Sequence, residues 1–391
     1  MHIIFFTHPA FLNHQSMPRF AKMLIDGMQK RGHQVENWSP KPSFYNIPSP
    51  GFLKKWLGYL DQYLIFPVQI RKRLKTTDPQ SLFVLTDHAL GPWLPSVANQ
   101  PNVVHCHDFL AQQSALGMIP ENPTSWTGKL YQTYIRNGYA KGKNFISVSN
   151  KTRQELHTFL NPDNINSEVV YNGLNQSFKV IKPDVARARI GQKTGLDLSN
   201  GYLLHVGGNQ WYKNRLGVIE MYDAWQNQQK TNVPLLLIGS SPDEALSNRI
   251  IHSPYKSLIH SFDNIEDDLI NDAYSGAIVF LFPSLAEGFG WPIAEAMACG
   301  CPVITTDEAP MTEVAGKAAF LIPKKPTGEQ EMINWLSKVS TIITEVFSSA
   351  PEKRKEIVDA GLENVKRFEV ENTLNQIESI YKDILKKENL R

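Results

Sequence analysis

The sequence predicts an α/β protein made of two Rossmann-like, doubly wound domains that face each other across a cleft. Three observations carry that expectation. The chain has 391 residues, enough for two or three domains at roughly 150 residues each. Short apolar runs alternate with amphipathic stretches along most of it, the pattern of βα units around parallel sheets. Each run ends in Gly, Pro, Ser or Asp before a helical period begins.

Taken in order, the first half offers buried strands at 3–6, 82–85, 103–106, 145–148 and 169–171. After the first of these, Ser16 ahead of Met17 and Pro18 is a helix N-cap with Pro near N1, and Gly32 in Lys30-Arg31-Gly32-His33 supplies the C-cap. Asn172-Gly173 marks a turn and opens a polar linker over 172–183. The second half offers strands at 203–206, 235–238, 257–260, 278–282 and 303–305. A last helix over 370–387 carries Leu374, Ile377, Ile380, Tyr381, Ile384 and Leu385 at helical spacing. The expected domains are therefore 1–178 and 179–375. In doubly wound sheets ligands bind where loops leave the carboxyl ends of strands and helix amino termini point inward, so chemistry is expected in those loops.

Hydrophobic residues at 42% and charged residues at 20% exclude a disordered chain. The net charge of +2 hides an asymmetry. Residues 1–178 hold 17 Lys/Arg against 10 Asp/Glu, a net of +7, and residues 179–391 hold 23 against 28, a net of −5. The first half is thereby directed at an anionic partner, or its charges are scattered over solvated faces. Cys106, Cys299 and Cys301 form neither a disulfide framework nor a zinc pattern, which fits a reducing cytoplasm. No basic amino-terminal region with an apolar core of signal length and no run of 18 apolar residues is present.

The most informative segment is 282–314. A strand ends at Phe282-Pro283, a loop follows with Glu287-Gly288-Phe289-Gly290, and a helix opens at Trp291 with Pro292 in its first turn. Free amides at Trp291, Ile293 and Ala294 and the helix dipole suit a phosphate or a hydroxyl-rich ligand. Glu295, placed in the first turn, suits vicinal hydroxyls such as those of a ribose. The plainer reading is that Glu295 only favours the helix terminus and the glycines only make a turn.

This segment resembles the E-x₇-E signature of the retaining family 4 glycosyltransferases, which have the GT-B architecture. Both glutamates, the intervening Gly-Phe-Gly and the run Glu295-Ala296-Met297-Ala298 match. The resemblance implies that Glu295 contacts the ribose of a nucleotide-sugar donor and that Glu287 lies beside its sugar and phosphates. A second matching element runs from Leu203 through Gly207, Gly208 and Asn209 to Lys213. A fixed ammonium there would stabilise a departing diphosphate, so Lys213 is assigned that role. The donor site is thus expected at Gly208, Asn209, Lys213, Glu287, Gly288, Phe289, Gly290, Trp291, Ile293 and Glu295. The family usually carries Arg where Asn209 stands; Arg215 either compensates or points to solvent.

His107, closing the strand at 103–106, is similar to the family's cleft histidine and is preferred over His105, which reads as a core residue. Asp108 either orients His107 or caps the next helix. The His-x-His pair is read as pointing to opposite faces, against a shared ion, and no D-x-D occurs, so no metal is expected. The first βα loop at 7–16 lacks the family's glycines, and His14, Ser16 and Arg19 are the acceptor-side candidates. The stretch 52–75 mixes Lys54, Lys55, Arg71, Lys72, Arg73 and Lys75 with Trp56, Tyr59, Tyr63 and Phe66. It reads as an anionic-membrane contact or as a core helix with solvated charges, interrupted by Pro67.

The function implied by the resemblance is transfer of a sugar, with retention and without a metal or other cofactor, from a nucleoside-diphosphate donor to a glycan, glycolipid or other acceptor. Residues 376–391 are expected to cross back to the first domain, as in that architecture. The expected location is cytoplasmic, with peripheral contact at the inner membrane face. The rival reading is a catalytically inactive sugar-nucleotide-binding protein on the same scaffold. A nicotinamide-dependent enzyme is disfavoured by the lack of G-x-G-x-x-G after a strand, and a nucleic-acid partner is not expected.

Overall fold

The computed structural model describes residues 1–12, 16–174, 178–263 and 265–389. The chain divides into two compact units, Met1–Asn175 with Val370–Arg391, and Gln176–Glu369. The first unit takes in the whole final helix, from Val370 rather than from 376.

The first unit holds strands β1 (His2–Phe6), β2 (Gln34–Trp38), β3 (Leu82–Leu85), β4 (Asn102–Cys106), β5 (Asn144–Ser147) and β6 (Asn166–Val169). They form one parallel sheet in the order β2-β1-β3-β4-β5-β6. One face packs on Trp38, Phe66, Trp93 and Tyr139. The other packs on Phe20, Leu24 and Met28 of the helix Ser16–Lys30 and on Leu374, Ile377, Tyr381 and Ile384 of the helix Val370–Asn389. Those four carry the 3.6-residue period seen in the sequence, and it is the buried stripe. The two helices approach so closely that a Cβ on Gly27 would lie 2.5 Å from Leu374 Cδ1. Ion pairs from Arg31 to Glu371 at 2.6 Å and from His33 to Glu378 at 3.0 Å flank that contact.

The second unit holds β7 (Leu203–Gly207), β8 (Leu235–Gly239), β9 (Ile259–Phe262), β10 (Val279–Phe282), β11 (Val303–Thr306) and β12 (Phe320–Ile322). Its parallel order is β12-β11-β10-β7-β8-β9, the Rossmann order counted within the unit.

The sequence expectations differ at the sheet edges. β2 and β12 were not foreseen, because Gln34-Val35-Glu36-Asn37 is polar and β12 is only three residues long. β6 falls at Asn166–Val169 rather than 169–171, and β9 at Ile259–Phe262 rather than 257–260, since Lys256–Leu258 forms a 3₁₀ turn. An edge strand is covered on one side only, so its apolar residues need not coincide with its ladder. Pro67 does not interrupt its helix. Residues 51–74 run on through a π turn at Asp61–Ile65, immediately before Pro67, where the i→i−4 pattern that Pro cannot join is already broken.

Two core histidines set a pH dependence. Burial pushes His105, whose ring nitrogen pairs with Tyr381 Oη at 2.8 Å, and His205, whose Nδ1–H donates to Leu281 O at 2.9 Å, down to about 3. The unfolded chain titrates them near 6.5. Their contribution is therefore intact above about pH 6.5 and is lost as pH falls toward 3, at up to about 1.4 kcal/mol per pH unit for each. Urea midpoints measured between pH 7 and pH 5 are expected to fall with pH, and less steeply in His105→Gln; equal slopes would contradict the assignment.

Candidate functional site

The winding of the second sheet reverses between β7 and β10, so the loops leaving their carboxyl ends diverge and leave a crevice there. The β7 loop ends in the turn Trp211–Lys213 and the helix Arg215–Gln229; the β10 loop ends in the helix Trp291–Ala298. Two bonds tie the loops together. Leu285 N–H donates to Tyr212 O at 2.7 Å, and Asn214 Nδ2 donates to Pro283 O at 2.9 Å. Asn214 holds the left-handed conformation at φ 53° while its Oδ1 caps the following helix through Gly217 N–H. Within this frame Lys213 Nζ donates to Glu287 Oε1 at 2.7 Å, and Ser284 Oγ donates to the same oxygen at 2.9 Å. The ammonium also lies 5.3 Å from the ring centroids of Tyr212 and Phe282. Glu287 is buried and Lys213 half-buried.

The helix after β10 begins with Gly290 as N-cap at φ 101°, a value that favours glycine, followed by Trp291 and Pro292. Two expectations change here. The amide of Ile293 is not free, because it donates to Gly290 O at 3.0 Å. Glu295 lies one turn into the helix rather than in its first turn, and its Oε2 accepts from the buried Tyr274 hydroxyl at 2.9 Å. That bond orients the carboxylate, and burial and the neighbouring carboxylate together raise the Tyr274 phenol well above its ordinary range. Phe289 is buried edge-on against Phe368 at 5.5 Å, so its side chain anchors the loop rather than facing a ligand, and Gly288 beside it is half-buried.

Arg215 does not point to solvent. It is buried, its Nη1 donates to Ser240 O at 2.8 Å and to Asn209 Oδ1, and its Nε and Nη2 have no hydrogen-bond partner among the described residues. Asn209 in turn donates to Ser241 O at 2.7 Å, so the loops leaving β7 and β8 are clamped together. Gly208 opens the β7 loop. At the base of the clamp Gly239 has φ +140°, and a Cβ there would meet Gly207 O at 2.1 Å.

In the first unit His107 sits just past the end of β4, buried, with Nε2–H donating to Thr86 O at 2.9 Å. Burial lowers its pKa, so the ring is neutral at pH 7. His105 and His107 do not point to opposite faces. Both rings pack on Phe20, at 5.3 and 4.5 Å, because positions i and i+2 of a strand share a face. Asp108 accepts from Leu110 N–H at 3.1 Å, at the start of the helix Leu110–Ala115. Of the acceptor-side candidates, Ser16 opens the helix Ser16–Lys30, Arg19 is exposed on it, and His14 lies outside the described residues. No group of three or more His, Cys, Asp or Glu is placed to hold a metal ion among the described residues.

Sequence reasoning missed a polar cluster beside His107. Asp87, just past the end of β3, accepts from His8 Nε2 at 2.8 Å, and His88 Nδ1 lies 3.0 Å from its other oxygen. Burial alone would raise the Asp87 carboxyl, but the two histidines hold it well below its ordinary range and it in turn raises His88. The signal was present: Thr86-Asp87-His88 follows a strand, as Cys106-His107-Asp108 does. Asn214 and Tyr274 were missed because their partners Pro283 and Glu295 are distant in sequence, and Ser284, three residues before Glu287, because nothing in the motif marks its hydroxyl.

Two doubly wound parallel sheets, each with charged side chains on the loops at its strand ends, place the chain in the α/β class. Residues 17–178 match the family model Glycosyltransferase Family 4, and residues 200–338 match Glycosyl transferases group 1. The O-antigen chain mannosyltransferase B of Escherichia coli is 29% identical over 186 residues, covering 46% of this chain and 46% of that one. The O-antigen chain mannosyltransferase RfbU of Salmonella typhimurium is 24% identical over 223 residues, covering 56% of this chain and 57% of that one. The chain spans about half the length of these curated relatives. The Anabaena HepE structure in complex with UDP and glucose has a TM-score of 0.70 at 16% identity, covering 98% of this chain and 100% of that one. The chain belongs to the group 1, family 4 glycosyltransferases.

The ion pair predicts a coupling. Lys213→Met or Glu287→Gln alone leaves a desolvated partner behind, whereas Lys213→Met/Glu287→Gln leaves none. The stability lost in the double variant is expected to fall short of the sum of the two single losses by about 1–3 kcal/mol in a double-mutant cycle. Additive losses would show that the two side chains act independently.

Proposed function

We propose that the protein transfers a hexose, mannose being the first to test, from a nucleoside-diphosphate donor held by the second unit to a growing glycan. The transfer proceeds with retention at the anomeric carbon and needs no metal, the acceptor being anionic or presented at an anionic surface. The observation that carries this reading is the Lys213–Glu287 pair at the strand-order reversal, beside the amino terminus of Trp291–Ala298. The roles follow from the chemistry of the groups. A diphosphate leaving the sugar gains negative charge, and the Lys213 ammonium, held in the crevice by Glu287, is the cation assigned to meet it. Glu287 holds that ammonium in place before the donor arrives. Glu295, oriented by Tyr274, receives the paired hydroxyls of a ribose. The names of the two mannosyltransferases support the sugar and the glycan acceptor, and the UDP and glucose in the HepE complex support a nucleotide-sugar donor. The excess of basic residues in 1–178 supports the acceptor's charge.

Two measurements test this. A thermal-shift screen against nucleoside diphosphates is expected to single out one base, since a ligand that binds the folded state raises its apparent stability. With the matching donor and chelator present, transfer is expected to give a product of retained anomeric configuration by NMR. Lys213→Ala is expected to lower kcat by roughly 10²–10³, the size found for loss of one transition-state stabilising donor. Donor binding with no turnover over a broad acceptor panel would instead establish the inactive binding protein, and a rate indifferent to salt would remove the anionic acceptor.

A further inference from the structure

The first unit presents an apolar face that nothing in the described structure covers, and it spans two helices rather than one. Along 51–74 the exposed large apolar residues are Phe52, Leu53, Trp56, Leu60, Leu64 and Val68, and all but Leu53 recur every four residues, with Phe52 at 74% and Trp56 at 56% exposure. In an α-helix a four-residue step overshoots one turn by about 40°, so such a row would wind around the rod. The wider i→i+5 turn at Asp61–Ile65, where Phe66 N–H bonds to Asp61 O, makes the step fall short of a turn and cancels part of that drift. Leu64 and Val68 thereby stay near the side that carries Trp56. The helix Trp126–Tyr139 repeats the spacing with Trp126, at 73% exposure, Leu130 and Tyr134. The two helices are held side by side: Tyr63 and Tyr131 hydroxyls bond at 2.6 Å, Tyr59 stacks on Tyr131 at 5.3 Å, and Tyr63 meets Tyr134 edge-on at 5.5 Å.

The charge on this platform has one sign. Exposed Lys55, Arg71, Lys72 and Lys75 lie along or just past the first helix and exposed Lys129 on the second. The only acid from 50 to 76 is Asp61, which is buried and accepts from the backbone amides of Phe44 and Tyr45. No acid occurs from 122 to 143. A protein partner would have to supply both an apolar patch and a surrounding belt of acids, whereas an anionic bilayer offers acyl chains beneath a continuous sheet of phosphates. Trp and Tyr beside Lys and Arg are the residues that settle at that boundary.

We infer that the helices at 51–74 and 126–139 together form a docking surface for an anionic lipid bilayer, with Trp56 and Trp126 entering the headgroup boundary. The inference goes beyond the transfer chemistry and stands without it, because its test needs no donor or acceptor.

The test is flotation of the full chain with vesicles of phosphatidylcholine alone or mixed with phosphatidylglycerol, at low and high salt. Wild type is expected to float with the mixed vesicles at low salt only. Trp56→Ser/Trp126→Ser is expected to lose at least tenfold in partitioning, and Lys72→Gln and Lys129→Gln about fivefold each. All these side chains are exposed, and circular dichroism checks that the variants stay folded. Trp126→Ser alone is the decisive variant for the second helix, and unchanged partitioning there would overturn the two-helix platform. Failure of the folded wild type to float with the mixed vesicles, equal flotation with neutral vesicles, or a dimer in sedimentation that Trp126→Ser dissolves would overturn the inference, the last by giving the face to a second copy.

Discussion

The candidate donor site depends on where the second sheet changes direction. Strands β8 and β9 wind to one side of β7, and β10, β11 and β12 to the other. Only between β7 and β10 do consecutive loops at the carboxyl end part company, and there the chain places an ammonium from one loop against a carboxylate from the other. A salt bridge this shielded from water is not by itself a source of stability, since desolvation takes back much of the Coulomb gain. The surrounding frame is what makes it tenable: Ser284 bonds to the same carboxylate oxygen, and the Asn214–Pro283 and Leu285–Tyr212 bonds fix both loops. The arrangement is an electrostatic site built before any ligand arrives, which is the condition for a fixed charge to act on a transition state rather than reorganise with it.

What was legible in the sequence followed from burial on both faces. Central strands such as β1, β4, β8 and β10 are continuous apolar runs because helices cover the sheet on both sides, and their ends were placed to within a residue or two. The edges were not legible, for the same reason inverted. β2 is polar because half of it faces solvent, and β6 ends where the apolar Val170 begins to serve the core rather than the ladder. At the site, Lys213 and Glu287 were legible because a motif carries them. Their supports were not, because Ser284, Asn214 and Tyr274 act through contacts that only the folded chain creates. Arg215 illustrates the limit well. Sequence position left it a choice between ligand and solvent, and the structure gives it a third role, clamping two loops through Asn209 and Ser240.

The first unit repeats the logic with different residues. Its winding reverses between β1 and β3, and the loops leaving those strands bring His8 to Asp87. The next strand end adds His107, whose Nε2 proton is committed to Thr86 O, so the ring presents Nδ1 as an acceptor in its neutral form. Asp87 pairs with His8 through one oxygen and accepts from the Ala89 amide through the other, which holds the loop, and His88 Nδ1 lies beside that second oxygen. The histidine the motif singled out is therefore part of a larger polar group, and a role for His107 cannot be separated from the residues that hold Thr86 and Asp87.

The charge asymmetry of the chain has a structural counterpart that a bare count does not give. The excess of +7 in 1–178 is not spread evenly over solvated faces, since the stretches at 50–76 and 122–143 contribute basic residues and a single buried acid between them. Those stretches also carry most of the large exposed apolar side chains of the first unit. Scattered charge would solubilise such a surface; here the acids that would complete a salt-bridged face are missing, and the π turn keeps the apolar row from dispersing around the helix. Two features that are each ordinary alone, exposed apolar residues and basic ones with almost no acid beside them in sequence, coincide on adjacent helices joined by a tyrosine cluster. Their coincidence is what separates an interface from a solvated face.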